Sequence, residues 1–85
     1  MNSSELRAQR RAEINVYKEA HQCCMCPPGT KWPAVALDLH HKDPKEKEFE
    51  VARNVGINKE RLWAEISKCI VICANHHRML HAAME

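Results

Sequence analysis

Apolar residues change their spacing several times along this chain, and each change marks an expected element. From Ser4 to about Ala20, Leu6, Ile14, Val16 and Tyr17 lie among Arg7, Arg10, Arg11, Glu13 and Lys18. That spacing predicts an amphipathic helix capped by Ser3 or Ser4. Its apolar face is thin, so the helix is expected to dock on a core; a basic helix touching nucleic acid is the alternative. The run Cys23-Cys24-Met25-Cys26-Pro27-Pro28-Gly29-Thr30 cannot continue it, because prolines and glycine break helices, and a knuckle-like loop is expected there. Ala34 to His41 then alternates, with Val35, Leu37 and Leu39 on one side and Ala36, Asp38 and His40 on the other, as in a half-buried strand. On such a strand His40 and His41 start on opposite faces.

Lys42 to Glu50 is charged and contains Asp43-Pro44, which predicts a solvated loop anchored by Phe49, Val51 and Val55. A helix is expected from about Lys59 to Ser67, with Asn58 as N-cap, Glu60 in its first turn and Leu62, Trp63 and Ile66 facing inward. Cys69 to Cys73 is a short apolar run that predicts a buried strand pairing with the first. From Ala74 to Met84 there is no glycine or proline, so a last helix is expected, carrying His76, His77 and His81.

Length changes the picture. A chain of 85 residues is one domain and buries only about 60% of the surface its unfolded form exposes, so its core is marginal. Five cysteines and six histidines offer the remedies small domains use, disulfides or a structural metal. Met1 to Ala12 is polar and basic and has no apolar stretch of the kind a signal peptide needs, and no membrane-length apolar run follows. A cytoplasmic location is therefore expected, where thiols stay reduced and cysteines spaced closely with histidines serve as metal ligands. The odd cysteine count agrees. A net charge of +2 with interleaved signs says little about partners.

Two short-spaced pairs, Cys23-x-x-Cys26 and Cys73-x-x-His76, are what a tetrahedral zinc site takes from two chain segments. Any one of these cysteines alone would be an ordinary small buried residue, and Cys24 and Cys69 are expected to be just that. A redox use of Cys23-x-x-Cys26 is a further reading of the thiols. His40 and His41 end a strand, while His77 and His81 lie within about 40° of each other on a helix and can hold one ion together. His76 is turned about 100° from His77 and can face the zinc. One helix thus serves two metals.

The order Cys-x-x-Cys, then Leu37-Asp38-Leu39-His40-His41-Lys42-Asp43-Pro44, then Lys68-Cys69-Ile70-Val71-Ile72-Cys73-Ala74-Asn75-His76-His77-Arg78 resembles the HNH endonuclease family over residues 23 to 81. The resemblance implies an α+β fold, a small zinc-stabilised ββα-metal domain over residues 23–85 with an N-terminal helix over 1–22, the whole forming one domain. It implies that Cys23, Cys26, Cys73 and His76 hold a structural Zn²⁺, although the family's second pair is usually Cys-x-x-Cys. It makes His41 the general base and His40, His77 and His81 the ligands of a catalytic divalent ion, Mg²⁺, Mn²⁺ or another. His81 corresponds there to an extra helix ligand of colicin-like members.

Lys68 stands where the family carries the asparagine that orients the base, which leaves a backbone carbonyl, Asn54, Asn58 or Asn75 for that task. Lys42, Lys45, Lys47 and Arg78 flank the motifs as candidate phosphate contacts, with plain solvated charge as the alternative. The implied activity is hydrolysis of phosphodiester bonds in double-stranded or nicked DNA, with a homodimer or protein partner supplying specificity and no membrane partner. Phage and mobile-element proteins are among the members resembled. The rival reading is a non-catalytic zinc module that binds DNA or protein, its histidine cluster vestigial and Lys68 the mark of a lost activity.

Overall fold

The computed structural model describes residues 1–84. Its elements are α1 (Ser3–His21), β1 (Leu37–His41), α2 (Lys59–Ile66), β2 (Cys69–Cys73) and α3 (Ala74–Met84), with single 3-10 turns at Ala34–Ala36, Pro44–Glu46 and Val51–Arg53. This is a small α+β architecture around one two-stranded antiparallel sheet.

Helix α1 is capped by Asn2 and not by Ser3 or Ser4. The Asn2 side-chain oxygen accepts from the Glu5 amide at 2.8 Å while Glu5 Oε1 accepts from Asn2 Nδ2 at 2.8 Å. Asparagine caps as well as serine does, and here it has a glutamate three residues on to close a reciprocal pair, which neither serine has. The helix ends at Gln22, whose φ of +60° turns the chain into the knuckle. Its side chain secures that unusual backbone: Oε1 accepts from the Trp32 amide at 2.7 Å and Nε2 donates to the Trp32 carbonyl at 3.1 Å.

Strand β1 is shorter than the alternation predicts. Its register with β2 runs from Leu37↔Cys73 to His41↔Cys69, so residues 34–36 have no ladder partner and coil into a 3-10 turn after Pro33. Val35 is left 92% exposed beside a nearly fully buried Leu37. β2 and α3 keep the bounds expected of them. So does the Asn58 cap, which accepts from the amides of Glu60 and Arg61 at 2.9 and 3.2 Å, while α2 stops at Ile66 with Ser67 as its C-cap.

Burial divides into two clusters. One joins Ile14, Val51, Val55, Leu62 and Ile66; the other joins Cys23, Leu37, Val71, Ile72 and Cys73. Tyr17 and Leu39 pack against both. Val51 and Val55 anchor the loop as expected, whereas Phe49 is half-buried beneath the Arg61 guanidinium, 5.8 Å from its ring centre. Trp63 is half-buried too, edge-on to Tyr17. Cys69 is buried, but Cys24 is exposed and does not pack in the core; its contribution is through the main chain, the amide donating to the Val71 carbonyl at 3.0 Å. Among the described residues no helix is long and apolar enough to cross a membrane.

Candidate metal centres

The knuckle after α1 and the junction of β2 with α3 bring Cys23, Cys26, Cys73 and His76 together, with ligand atoms within 4.8 Å of one another. Cys26 Sγ lies 3.7 Å from Cys73 Sγ, and His76 Nδ1 lies 3.8, 3.4 and 3.1 Å from the sulfurs of Cys23, Cys26 and Cys73. A tetrahedral zinc with ordinary bond lengths would set sulfur–sulfur edges at about 3.8 Å and sulfur–nitrogen edges at about 3.6 Å. The four atoms therefore already outline the corners of such a site. All three cysteines are free.

Two N–H groups support the sulfurs from outside: Trp32 Nε1 donates to Cys26 and the His76 amide to Cys73, both at 3.4 Å. Burial opposes ionisation of Cys23, but amide hydrogen bonds from Cys73 and Met25 and contacts with the neighbouring thiols outweigh it and bring Cys23 down to about 6. At Cys26 the Trp32 hydrogen bond favours the thiolate, yet burial and the neighbouring Cys23 and Cys73 push it up to about 11. One thiolate thus suppresses the next, a repulsion that a divalent cation among them would reverse. The donor set fits a metal ion, and three thiolates with one imidazole suit zinc.

On the next turns of α3, His77 and His81 face β1. His77 Nε2 lies 3.2 Å from His40 Nδ1 and 3.0 Å from His81 Nε2. On its other side His77 Nδ1 donates to Asp38 Oδ2 at 3.0 Å. With the proton on Nδ1, the Nε2 lone pair faces two more imidazole nitrogens, and one lone pair cannot satisfy two donors. A cation at the centre of the three nitrogens resolves that arrangement, with Asp38 orienting the ring from behind as carboxylates do behind metal-bound histidines. Burial, and then the neighbouring imidazoles, hold His40 below the usual histidine range, which keeps it neutral and able to bind a cation. The two groups of ligands form two separate candidate ion sites.

His41 faces the other way. Its Nε2 lies 2.7 Å from Glu65 Oε2, and both side chains are almost entirely buried. Glu65 also accepts from the Glu48 amide at 3.0 Å and, through Oε1, from Lys68 Nζ at 2.9 Å. Lys68 Nζ donates in turn to the Glu46 carbonyl at 2.9 Å. Burial alone would raise the Glu65 carboxyl, but Lys68, the Glu48 amide and His41 bring it down to about 2. The ionised Glu65 places the His41 proton on Nε2 and leaves Nδ1 with the lone pair.

None of the groups expected to orient His41 does so. Asn54 donates to the Glu50 carbonyl, Asn58 caps α2 and Asn75 is exposed. Glu65 is not among the residues singled out by motif, although a glutamate between Leu62 and Ile66 on the apolar face of a short helix signals burial and pairing. Asp38 is detectable likewise, two residues before His40 and so on the same strand face.

A cleft of about 470 Å³ lies between α1, β1 and the loop around Val51, with both His41 and His77 in its lining. Lys42, Lys45, Lys47 and Arg78 are exposed and line none of it; Lys47 is paired with Glu50. Arg11, Asn15 and Lys18 from α1 stand there instead. His21, the sixth histidine, joins neither ion site and bonds through Nδ1 to the Tyr17 carbonyl. Comparison with protein-family models, curated proteins and solved structures finds no match to this chain.

Proposed function

We propose that the protein is a metal-dependent DNA endonuclease in which His41 is the general base. One observation carries this reading: His41, an imidazole fixed by a buried carboxylate, lines one cleft together with His77, a member of the three-imidazole cluster whose other two rings lie just outside that lining. Phosphodiester hydrolysis needs those two elements, a base to take a proton from water and a positive charge for the phosphate. His41 Nδ1 takes that proton as the water oxygen bonds to phosphorus and the opposite P–O bond breaks. Glu65 keeps the Nε2 proton in place and stabilises the imidazolium that forms, while Lys68 neutralises Glu65. His40, His77 and His81 would hold a divalent ion, which would supply positive charge to the phosphate and its departing oxygen. An all-imidazole set ranks Ni²⁺, Co²⁺ or Zn²⁺ above Mg²⁺, which prefers oxygen. In this reading Cys23, Cys26, Cys73 and His76 hold a structural zinc that carries no chemistry.

Nicking of supercoiled plasmid by zinc-loaded protein, with Mg²⁺, Mn²⁺, Ni²⁺ or no added ion, tests the activity. Ion-dependent nicking is expected. A protein with full zinc content that nicks with none of these ions is the non-catalytic zinc module instead.

The two ion sites are separable by mutation. His81→Ala is expected to weaken the catalytic ion and leave zinc and fold in place, so that raising the divalent-ion concentration partly restores nicking. His76→Ala is expected to lose zinc and melt early, with no rescue. Zinc content and melting, measured beside the nicking rate, decide the matter: zinc loss from His81→Ala with retention in His76→Ala would exchange the two assignments.

Glu65→Gln preserves shape but sets an amide N–H₂ against Lys68 or His41. Nicking is expected to fall by up to about 100-fold, the lower end of the 10² to 10⁴ that a general base contributes, because part of the His41 population would then carry its proton on Nδ1. Zinc content and divalent-ion dependence should stay unchanged, and the ring-nitrogen NMR shifts of His41 should report a mixed tautomer. Unaltered nicking with a shifted tautomer would remove Glu65 from the mechanism.

A further inference from the structure

We propose that Arg11, Asn15 and Lys18 on α1 form a rail that binds the phosphodiester backbone of duplex DNA along one wall of the His41 cleft; this rests on the nuclease reading. On a helix these positions fall within about 60° of one another and span about 10 Å along the axis, so they form a single stripe. All three line the cleft together with His41 and His77.

What separates this stripe from ordinary solvated charge is how the other cations near α1 are used. Arg10 donates to the Ile57 carbonyl at 3.0 Å. The Arg7 side chain lies against Gly56, its Nε 3.2 Å from where a Cβ would stand. Lys59 reaches Glu13 at 3.4 Å. The side chains of Arg11 and Lys18 have neither a hydrogen-bond partner nor a carboxylate within ion-pair distance among the described residues. Two carboxylates share the cleft lining and both are engaged, Asp38 with His77 and Glu50 with Lys47. The positive charge of the stripe is therefore not cancelled from within the protein.

The stripe is also held in place. Ile14 lies between its members and is buried in the core, and Tyr17 packs on both clusters. A stripe fixed by its own helix loses little freedom on binding. Its length matches about three nucleotide steps of one strand at 3.4 Å each, long enough to engage more than one phosphate. Asn15, between the cations, can donate or accept at phosphate and sugar oxygens. Contacts of this kind position a backbone without reading bases, so the rail binds with little sequence preference.

The test is fluorescence anisotropy of a labelled DNA duplex against zinc-loaded protein, without added divalent ion, over a series of NaCl concentrations. Arg11→Ala/Lys18→Ala is expected to weaken binding about 10-fold or more and to reduce the salt slope by about 2, one for each phosphate no longer neutralised. Lys31→Ala/Lys59→Ala removes the same formal charge outside the cleft and should change affinity by less than about 3-fold. Arg11→Lys/Lys18→Arg keeps the charge and should keep the slope. Equal weakening by the two alanine pairs would reduce the rail to diffuse charge and overturn it, as would tighter binding of single-stranded RNA than of duplex. Zinc content and melting temperature confirm that each variant folds. Nicking is scored separately: a rail confirmed by binding with no nicking under any ion sinks the nuclease reading alone, and nicking that is unaffected by Arg11→Ala/Lys18→Ala sinks the rail alone.

Discussion

Removing the metal from Cys23, Cys26, Cys73 and His76 is expected to unfold the whole domain. Two of those ligands, Cys23 and Cys73, are themselves members of the five-residue cluster around Leu37 and Ile72, so losing the site disturbs that cluster directly. An ion held there would join the segment after α1 to the start of α3, across the short ladder between β1 and β2. A two-stranded sheet by itself is marginal in water. Structural zinc in small domains supplies about 10–16 kcal/mol of apparent binding free energy, as large as the entire stability of most domains at about 5–15 kcal/mol. Purified protein should contain one equivalent of zinc per chain, and chelation should abolish the cooperative melting transition. Cys73→Ser should behave as the chelated protein does. Less than half an equivalent in unchelated protein, or an apo form with an unchanged melting curve, would defeat this expectation.

The second large effect belongs to His41. Its replacement by alanine should lower nicking by about 100-fold or more, since removing a general base typically costs 10² to 10⁴ in rate. Zinc content should be unchanged, because His41 lies on the opposite strand face from His40 and touches neither ion site. The mutation also leaves the Glu65 carboxylate short of one of its partners, although Lys68 and the Glu48 amide remain. A modest fall in melting temperature is expected for that reason. His41→Ala/Glu65→Gln should recover part of that stability and none of the activity. A folded His41→Ala protein that nicks at the wild-type rate would remove His41 from the chemistry.

Much of this arrangement is legible in the sequence because it depends on local spacing. The strand period separates His40 from His41, the helix period separates His76 from His77 and groups His77 with His81, and the structure brings each set together as those periods require. What escapes such spacing depends on distant segments meeting. Whether residues 34–36 extend the strand is decided by the length of β2, which alternation within β1 does not reveal. The partner of His41 comes from α2, and only the packing of that helix beneath the loop makes Glu65 its nearest acceptor. Lys68 illustrates the same limit. It occupies the place of an expected asparagine and yet serves the same imidazole one step removed, through Glu65. The lysines near His41 in sequence, Lys42, Lys45 and Lys47, are not in the lining of its cleft, while Arg11 and Lys18, far off in sequence, are.

The division of the core into two clusters has a consequence for motion. Cys23 and Cys73 sit in one cluster, whereas Val51 and Val55, which line the cleft, belong to the other, and among the described residues Tyr17 and Leu39 pack on both. Opening of a protein follows such seams, in units whose stabilities differ. Ile14 of α1, the segment around Val51 and the apolar face of α2 share one cluster and are therefore expected to open together, separately from the half that holds Cys23 and Cys73.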